Sequence, residues 1–358
     1  MGKSIETQTN FKNMSDTIVN VGLVGFGLSG RYFHAPFLST IPGFKIKGVV
    51  ERNRNDAQAY DPAIENHKSI DSLLNDDAIQ VVFICTPNET HFEYAMKALE
   101  KGKHIVIEKP FANTEAEAAE IFRLAESKGL VATAYQNRRW DSDFLTVKRL
   151  ISDDRLGNIF EFESRYDRYR PVPVTNTWKE QGGVGAGNVY NLGPHLIDQA
   201  LVLFGTPETV TANIKSLRGG SAIDDYFSIV LGYPDKVVTL KSSLLVYHNE
   251  PRYLLHGSKG SFFKGGLDVQ EETLRKDQLP TGENWGAEPE NRWGTLYSDA
   301  YTGIVKSEPG NYSPFYRNIR DCVAAGAQPL VKPREVLNTA RVIDLAFKSE
   351  AEKSVQPF

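Results

Sequence analysis

Three places in the 358-residue chain combine residue types that can do chemistry. The first is Gly25-Phe26-Gly27-Leu28-Ser29-Gly30, which follows an apolar, β-branched run at residues 17–24 and opens a helical stretch. In that setting Gly25 allows the tight bend and Gly27 lets the backbone approach a pyrophosphate. Gly30 lets the helix pack on the sheet, and the helix N-terminus faces the negative charge. The second place is Lys109, in Glu108-Lys109-Pro110 at the end of a strand, where sheets of this class bind ligands. Its ammonium is of the right type to hydrogen-bond a reacting oxygen and stabilise developing alkoxide charge. The third is His195. It follows Pro194, which suits the first turn of a helix, here one running to about Phe204. The positive end of the helix dipole there favours neutral imidazole, the form that accepts a proton.

An acidic residue about 20 positions beyond the glycines is expected to hold the adenine ribose hydroxyls, and Glu51 stands there. A carboxylate at that strand end repels a 2′-phosphate. Arg52 and Arg54 follow at once, and arginine is what a 2′-phosphate wants. The two signals conflict. The strand-end position of Glu51 favours NAD, with NADP kept as the alternative. Pro36 falls inside the helix expected from Leu28, so that helix should kink or end early.

The elements that must position these groups are readable from periodicity. Apolar runs at residues 17–24, 44–51, 80–86, 104–107 and 130–135 alternate with helical patterns such as 89–101 and 114–128. The last has Thr114 and Glu117 spaced as a capping box and Gly129 as a stop. Such alternation predicts a doubly wound parallel sheet of Rossmann type over residues 17–138. Beyond it, 139–151 reads as a helix. Residues 158–168 alternate, with Phe160, Phe162 and Tyr166 on one face, and similar runs follow at 210–217, 226–233 and 237–246. Residues 139–358 are therefore expected to form an α+β domain that binds substrate and supports oligomers. Residues 268–311, rich in Gly, Pro, Glu and Asn, read as a long surface excursion, and 333–353 as a final helix. Residues 1–16 read as a disordered tail.

Composition narrows the classes. The net charge of −4 argues against nucleic acid as a partner. Two cysteines, Cys85 and Cys322, give no disulfide framework, and no metal site is expected. No apolar run is long enough for a membrane span, and the expected location is the cytoplasm.

With Thr86-Pro87-Asn88 and the run Asn191-Leu192-Gly193-Pro194-His195-Leu196-Ile197-Asp198, the glycine turn and Glu108-Lys109-Pro110 resemble the glucose–fructose oxidoreductase/inositol dehydrogenase family (Gfo/Idh/MocA). The likeness extends from Ile18 to the final helix. Residues 137–145 and Arg168-Tyr169-Arg170-Pro171 resemble the scyllo-inositol dehydrogenase branch, which includes NADP-dependent members. The resemblance implies an NAD(P)-dependent dehydrogenase acting on a secondary alcohol of a cyclic polyol or sugar. It also implies a second domain with a large open, mainly antiparallel sheet that carries a homodimer or homotetramer interface. A non-catalytic dinucleotide-binding regulator of the same fold is the alternative. The family usually carries aspartate where this chain has Asn191. Asparagine can hydrogen-bond but brings no charge, and Asp198 is a substitute acid by position. Thr86, Pro87, Asn88 and His91 are expected against the nicotinamide half of the cofactor. Asn137, Arg138, Asp167, Arg168, Arg170, Trp178 and Asn191 are expected around the substrate, with Tyr226, Tyr247 and His248 as weaker candidates.

Overall fold

The computed structural model describes residues 18–174, 177–248 and 251–358. The tail expected over residues 1–16 lies outside the described residues. The first strands are β1 Val19–Val24, β2 Phe44–Val50, β3 Glu65–His67, β4 Val81–Ile84, β5 His104–Ile107 and β6 Ala132–Ala134. They form a parallel sheet in the order β3-β2-β1-β4-β5-β6. This is the doubly wound order that leaves a crevice at the carboxyl ends of β1 and β4. The central strands are nearly continuous apolar runs because helices cover both faces. Those helices are α1 Ala35–Thr40, α2 Asp56–Tyr60, α3 Ile70–Leu74, α4 His91–Glu100 and α5 Glu115–Ser127. The Thr114 hydroxyl caps α5 by accepting from Glu117 N at 3.2 Å, and Gly129 ends it at φ +65°.

Regular α geometry is interrupted just ahead of Pro36, in line with the expected disturbance, but without an early end. A π-helical turn, Ser29–His34, hands over to α1, and Pro36 occupies the first turn of α1, where its missing N–H is tolerated. That turn carries His34 inward, where it is buried against the rings of Phe83, Tyr135 and Tyr316, a placement that spacing alone does not announce.

A second sheet has nine strands. They are β7 Ile159–Arg165, β8 Thr209–Lys215, β9 Tyr226–Gly232, β10 Val237–Ser243, β11 Tyr253–Gly257, β12 Gly260–Lys264, β13 Gly294–Tyr297, β14 Thr302–Val305 and β15 Gln356–Pro357. Their order is β14-β13-β12-β11-β7-β10-β9-β8-β15, antiparallel except between β7 and β10. One face is covered by α6 Ser142–Ser152, α7 Asn188–Phe204 and α10 Pro333–Glu352, which share a core with Phe162, Phe227 and Leu240. The expected alternation in β7 slips at its start. A register shift opposite His256 and Gly257 turns Ile159 to the core and leaves Phe160 51% exposed.

Residues 268–311 are not a surface excursion. They contain α8 Gln270–Leu274 as well as β13 and β14, and Asp268, Gln270 and Leu274 are buried. Helix α9, Ser313–Ala325, then returns to the first sheet, where Tyr312, Phe315, Tyr316 and Ile319 join its core. The chain thus crosses between the two sheets several times, with Leu274, Tyr312 and Val336 buried in the first core and Val342 and Ile343 in the second.

Candidate active site

A cleft of about 990 Å³ runs from the glycine turn to the second sheet. At one end lie Gly25, Phe26, Gly27, Leu28 and Ser29. Gly25 sits at φ +101°, a conformation L side chains rarely adopt. Gly30 does not line the cleft. A Cβ there would drive into the Gly25 carbonyl oxygen, so this glycine serves the close approach of helix and strand. A Cβ at Gly27 would meet nothing, which leaves open space in front of the turn. The residues fit a dinucleotide on this evidence: a bare backbone cradle, a helical N-terminus and an acidic strand end around one cleft.

Glu51 is buried and lines the cleft, but its carboxylate is not fully available. Oε2 accepts from Ala57 N at 2.9 Å, at the start of α2. Arg52, Arg54, Lys68 and Ser69 line the same end. Arg54 is largely exposed, with Asp56 only at 3.6 Å, and Lys68 Nζ donates to the Glu51 carbonyl at 3.3 Å and Asn55 Oδ1 at 3.2 Å. No sequence signal had brought Lys68 or Ser69 to this place.

Glu108 forms the floor. Its Oε1 accepts from Ser29 Oγ and meets His34 Nε2 at 3.2 Å, while His34 Nδ1 meets Tyr316 Oη at 3.0 Å. Burial alone would raise its pKa, but the hydrogen bonds from His34 and Ser29 and the charge of Lys109 bring it to about 2. The carboxylate is therefore ionised and committed to the protein, and it ties the glycine turn to the Lys109 loop. Thr86, Pro87 and Asn88 line the cleft. Asn88 also holds a loop of the second domain, donating from Nδ2 to the Gly185 carbonyl at 2.7 Å. His91 is not in the cleft. It is buried, with Nδ1 at 2.8 Å from the Pro110 carbonyl and Nε2 at 3.0 Å from the Thr86 carbonyl, and it braces two loops. The expected contact of His91 with a nicotinamide ring is corrected accordingly.

At the other end Lys109 and His195 come together. Lys109 Nζ donates to the Asn191 carbonyl at 2.6 Å, which places the ammonium over α7. His195 is not at the helix start. Helix α7 begins at Asn188, with Pro194 inside it, so His195 stands about two turns in. The dipole argument for a neutral ring therefore fails, and a stronger one replaces it. His195 is only 5% exposed, and its Nδ1 is buried with no hydrogen-bond partner among the described residues. Burial, then the charges of Lys109, Arg138, Arg252 and Arg168, hold its pKa well below the ordinary histidine value. Asn191 lies one turn before it and also lines the cleft.

The other expected substrate residues divide. Asn137, Arg138, Arg168, Arg170 and Trp178 line the cleft. Arg138 is buried and already paired, with Asp141 at 3.0 Å and Glu271 at 2.7 Å. Asp167 does not line it. Its carboxylate takes Arg165 Nε at 2.8 Å and Ser243 N at 2.9 Å, locking the end of β7 to β10. Asp198 is likewise spent, gripped by Arg139 at 2.7 and 2.8 Å, and cannot stand in for an acid at position 191. Tyr226, Tyr247 and His248 lie away from the cleft lining, Tyr247 being 83% exposed. Sequence reasoning missed Glu271 and Arg275 of the α8 region, both of which line the substrate end. Their i,i+4 spacing signals an ion pair, but nothing in the sequence brings it to the cleft.

Among the described residues, no group of three or more His, Cys, Asp or Glu is arranged to hold a metal ion, and no helix is long and apolar enough to cross a membrane. The family description "oxidoreductase family, NAD-binding Rossmann fold" matches residues 19–136, and "oxidoreductase family, C-terminal alpha/beta domain" matches residues 148–357. The chain is 39% identical over 345 residues to the oxidoreductase YdgJ of Escherichia coli, covering 95% of this chain and 99% of that one. It is 38% identical over 342 residues to the scyllo-inositol 2-dehydrogenase (NADP(+)) IolW of Bacillus subtilis, covering 94% and 95%. The solved structure of yvaA from Bacillus subtilis superposes with a TM-score of 0.92 at 36% identity, covering 97% of this chain and all of that one. Two matched domains and full-length likeness agree with the cleft: the chain belongs to the Gfo/Idh/MocA family of NAD(P)-dependent oxidoreductases.

Proposed function

We propose that the protein moves hydride between a nicotinamide dinucleotide and a secondary alcohol of a cyclic polyol or sugar. The observation that carries this reading is the meeting of an ammonium, Lys109, and a buried imidazole, His195, in a cleft whose far end is the glycine turn. A bound dinucleotide supplies the hydride acceptor. The protein's part is the proton and the pose. Lys109 donates a hydrogen bond to the alcohol oxygen and stabilises the alkoxide that develops. His195, kept neutral by burial and its cationic neighbours, takes the proton. Asn137, Asn191 and Trp178 offer hydrogen bonds and an aromatic wall for the ring, and Arg138 holds the floor. The name of IolW, a scyllo-inositol 2-dehydrogenase, supports an inositol-like alcohol.

For the dinucleotide we read NADP as preferred, against the NAD preference that Glu51 alone suggests. Glu51 spends one oxygen on Ala57, while Arg52, Arg54, Lys68 and Ser69 line the same end of the cleft and are of the types that would hold a 2′-phosphate. The NADP in the name of IolW points the same way. The half-exposed face of the second sheet, with Phe160, Val237 and Ile304 on its surface, suits the homodimer or homotetramer expected there.

A turnover assay with inositols and aldoses against both dinucleotides tests the reading. Reduction of NADP by at least one cyclic polyol is expected, with NADP at least about tenfold tighter than NAD. Dinucleotide binding without turnover of any alcohol would favour the regulator instead.

A further inference from the structure

The substrate end of the cleft carries more positive charge than a neutral polyol explains. Lys109, Arg138, Arg168, Arg170 and Arg275 line it, and among the described residues Glu108, Glu271 and the buried Asp141, 3.0 Å from Arg138, answer them. Glu108 is committed to Ser29 and His34. Glu271 is shared by Arg138 at 2.7 Å and Arg275 at 2.9 Å, and their charges overcome the effect of burial and hold its pKa at about 2. The remaining nearby carboxylate, Glu180, is taken by Arg218 at 3.1 Å and by Val174 N at 3.0 Å. Arg168 and Arg170 are left over. Among the described residues neither guanidinium has a hydrogen-bonded or ion-paired partner, and Arg168 rests only on the Tyr166 ring, 5.2 Å away. Burial and the charge of Arg168 lower the pKa of Arg170, and Arg275 and Arg218 add to this against the opposing charge of Glu180.

The backbone keeps these two arginines in place. Beyond β7 the chain runs on in extended form and bridges to the chain beyond β10 at Tyr169 and Leu245. Arg168 N donates to the Ser243 carbonyl at 2.9 Å, Arg170 N to the Leu244 carbonyl at 2.7 Å, and Val246 N to the Arg168 carbonyl at 3.2 Å. In an extended chain residues two apart share a face. Arg168 and Arg170 therefore both line the cleft, while Tyr169 turns the other way and meets Tyr247 edge-on. Two forked donors held side by side fit the oxygens of one anionic group.

We propose that the alcohol this cleft accepts bears an anionic group, a carboxylate or a phosphate, held by Arg168 and Arg170 while its hydroxyl meets Lys109 and His195. The proposal rests on the dehydrogenase reading for the hydroxyl but not for the anion. Glucose, glucuronate and glucose 6-phosphate make a matched set of neutral, carboxylate and phosphate probes. Titration calorimetry on the protein loaded with NADPH reads binding whether or not turnover occurs. At least one anionic probe should bind about tenfold or more tightly than glucose, and the better of the two identifies the group. Arg168→Gln with Arg170→Gln should bring that ratio below about threefold, and Arg170→Lys should leave it in between, because charge remains while the fork is lost. Glucose binding as well as both anions, a ratio unchanged in the double variant, or an equal loss of NADPH affinity would each overturn the proposal. Selective anion binding without oxidation of any alcohol would uphold it and sink the dehydrogenase reading alone.

Discussion

At the nucleotide end of the cleft, consecutive residues from Gly25 to Ser29 make the wall, and they do it largely with backbone. At the substrate end, Lys109, Arg138, Arg168, His195 and Glu271 arrive from separate stretches of chain, and the cations among them set the protonation of His195 and Glu271. The first end depends on what is missing, the side chains that glycine lacks. The second depends on what is balanced: a carboxylate kept ionised at Glu271 and an imidazole kept neutral at His195 within one cationic environment. Neighbouring cations favour loss of the proton from both groups, but the charges left behind differ: the carboxylate is ionised against the effect of burial, and the imidazole is neutral with its help.

If the two ends are separable in this way, their losses should separate as well. Lys109→Ala and His195→Ala should each lower kcat by about a hundredfold or more, the scale of a positioned acid–base group, while NADPH affinity stays within a few-fold. Steady-state rates paired with fluorescence titration of NADPH check this. Near-normal turnover would remove that residue from the proton path. A collapse of nucleotide affinity would show that the two ends act as one.

The glycine end divides more finely. Gly27→Ala places its methyl in open space, so the free protein should melt at an unchanged temperature while dinucleotide affinity falls about tenfold from crowding at the pyrophosphate. Gly30→Ala places its methyl against the Gly25 carbonyl, so it should cost about 1–3 kcal/mol and lower the melting temperature by a few degrees as well. Thermal melts with and without NADPH distinguish the two. Equal melting losses would mean that Gly27 also has a packing role.

The same contrast explains what the sequence made legible. A glycine turn between a strand and a helix is local, as is the run of buried apolar residues in β1, β4 and β5, so both could be read from neighbouring letters. Strand β3 is Glu65-Asn66-His67, an edge strand held to β2 by backbone pairing, and no apolar pattern marks it. The roles of Asp167, Asp198 and His91 were invisible because each depends on a partner that only the fold supplies. Asp198 looked like an acid near His195, one helical turn away, yet Arg139 claims it from another element. Glu271 failed in the opposite sense. It lies in a stretch whose glycines and prolines suggest a loop, but Leu274 and Gln270 bury that stretch and bring the carboxylate to Arg138. The neutral state of His195 was expected for a wrong cause, since the helix begins earlier than Pro194 implied.

That cause can be measured. His195 must be neutral to take a proton, and its pKa lies well below the ordinary 6.5 because it is buried among Lys109, Arg138, Arg252 and Arg168. The acid limb of kcat/KM should therefore fall below pH 6.5 in the native protein, so that activity is expected to survive mild acidity. Asn191 lies one helical turn before His195 on the same cleft-facing side of α7. Asn191→Asp adds a carboxylate that stabilises the imidazolium, so the pKa must rise. Protonation then begins at higher pH, and the acid limb should move upward by about one unit. The pH dependence of kcat/KM for both proteins reads the shift directly. If neither the limb nor the range of accepted polyols moves, position 191 takes no part in the proton path, and the cations alone set the basicity of His195.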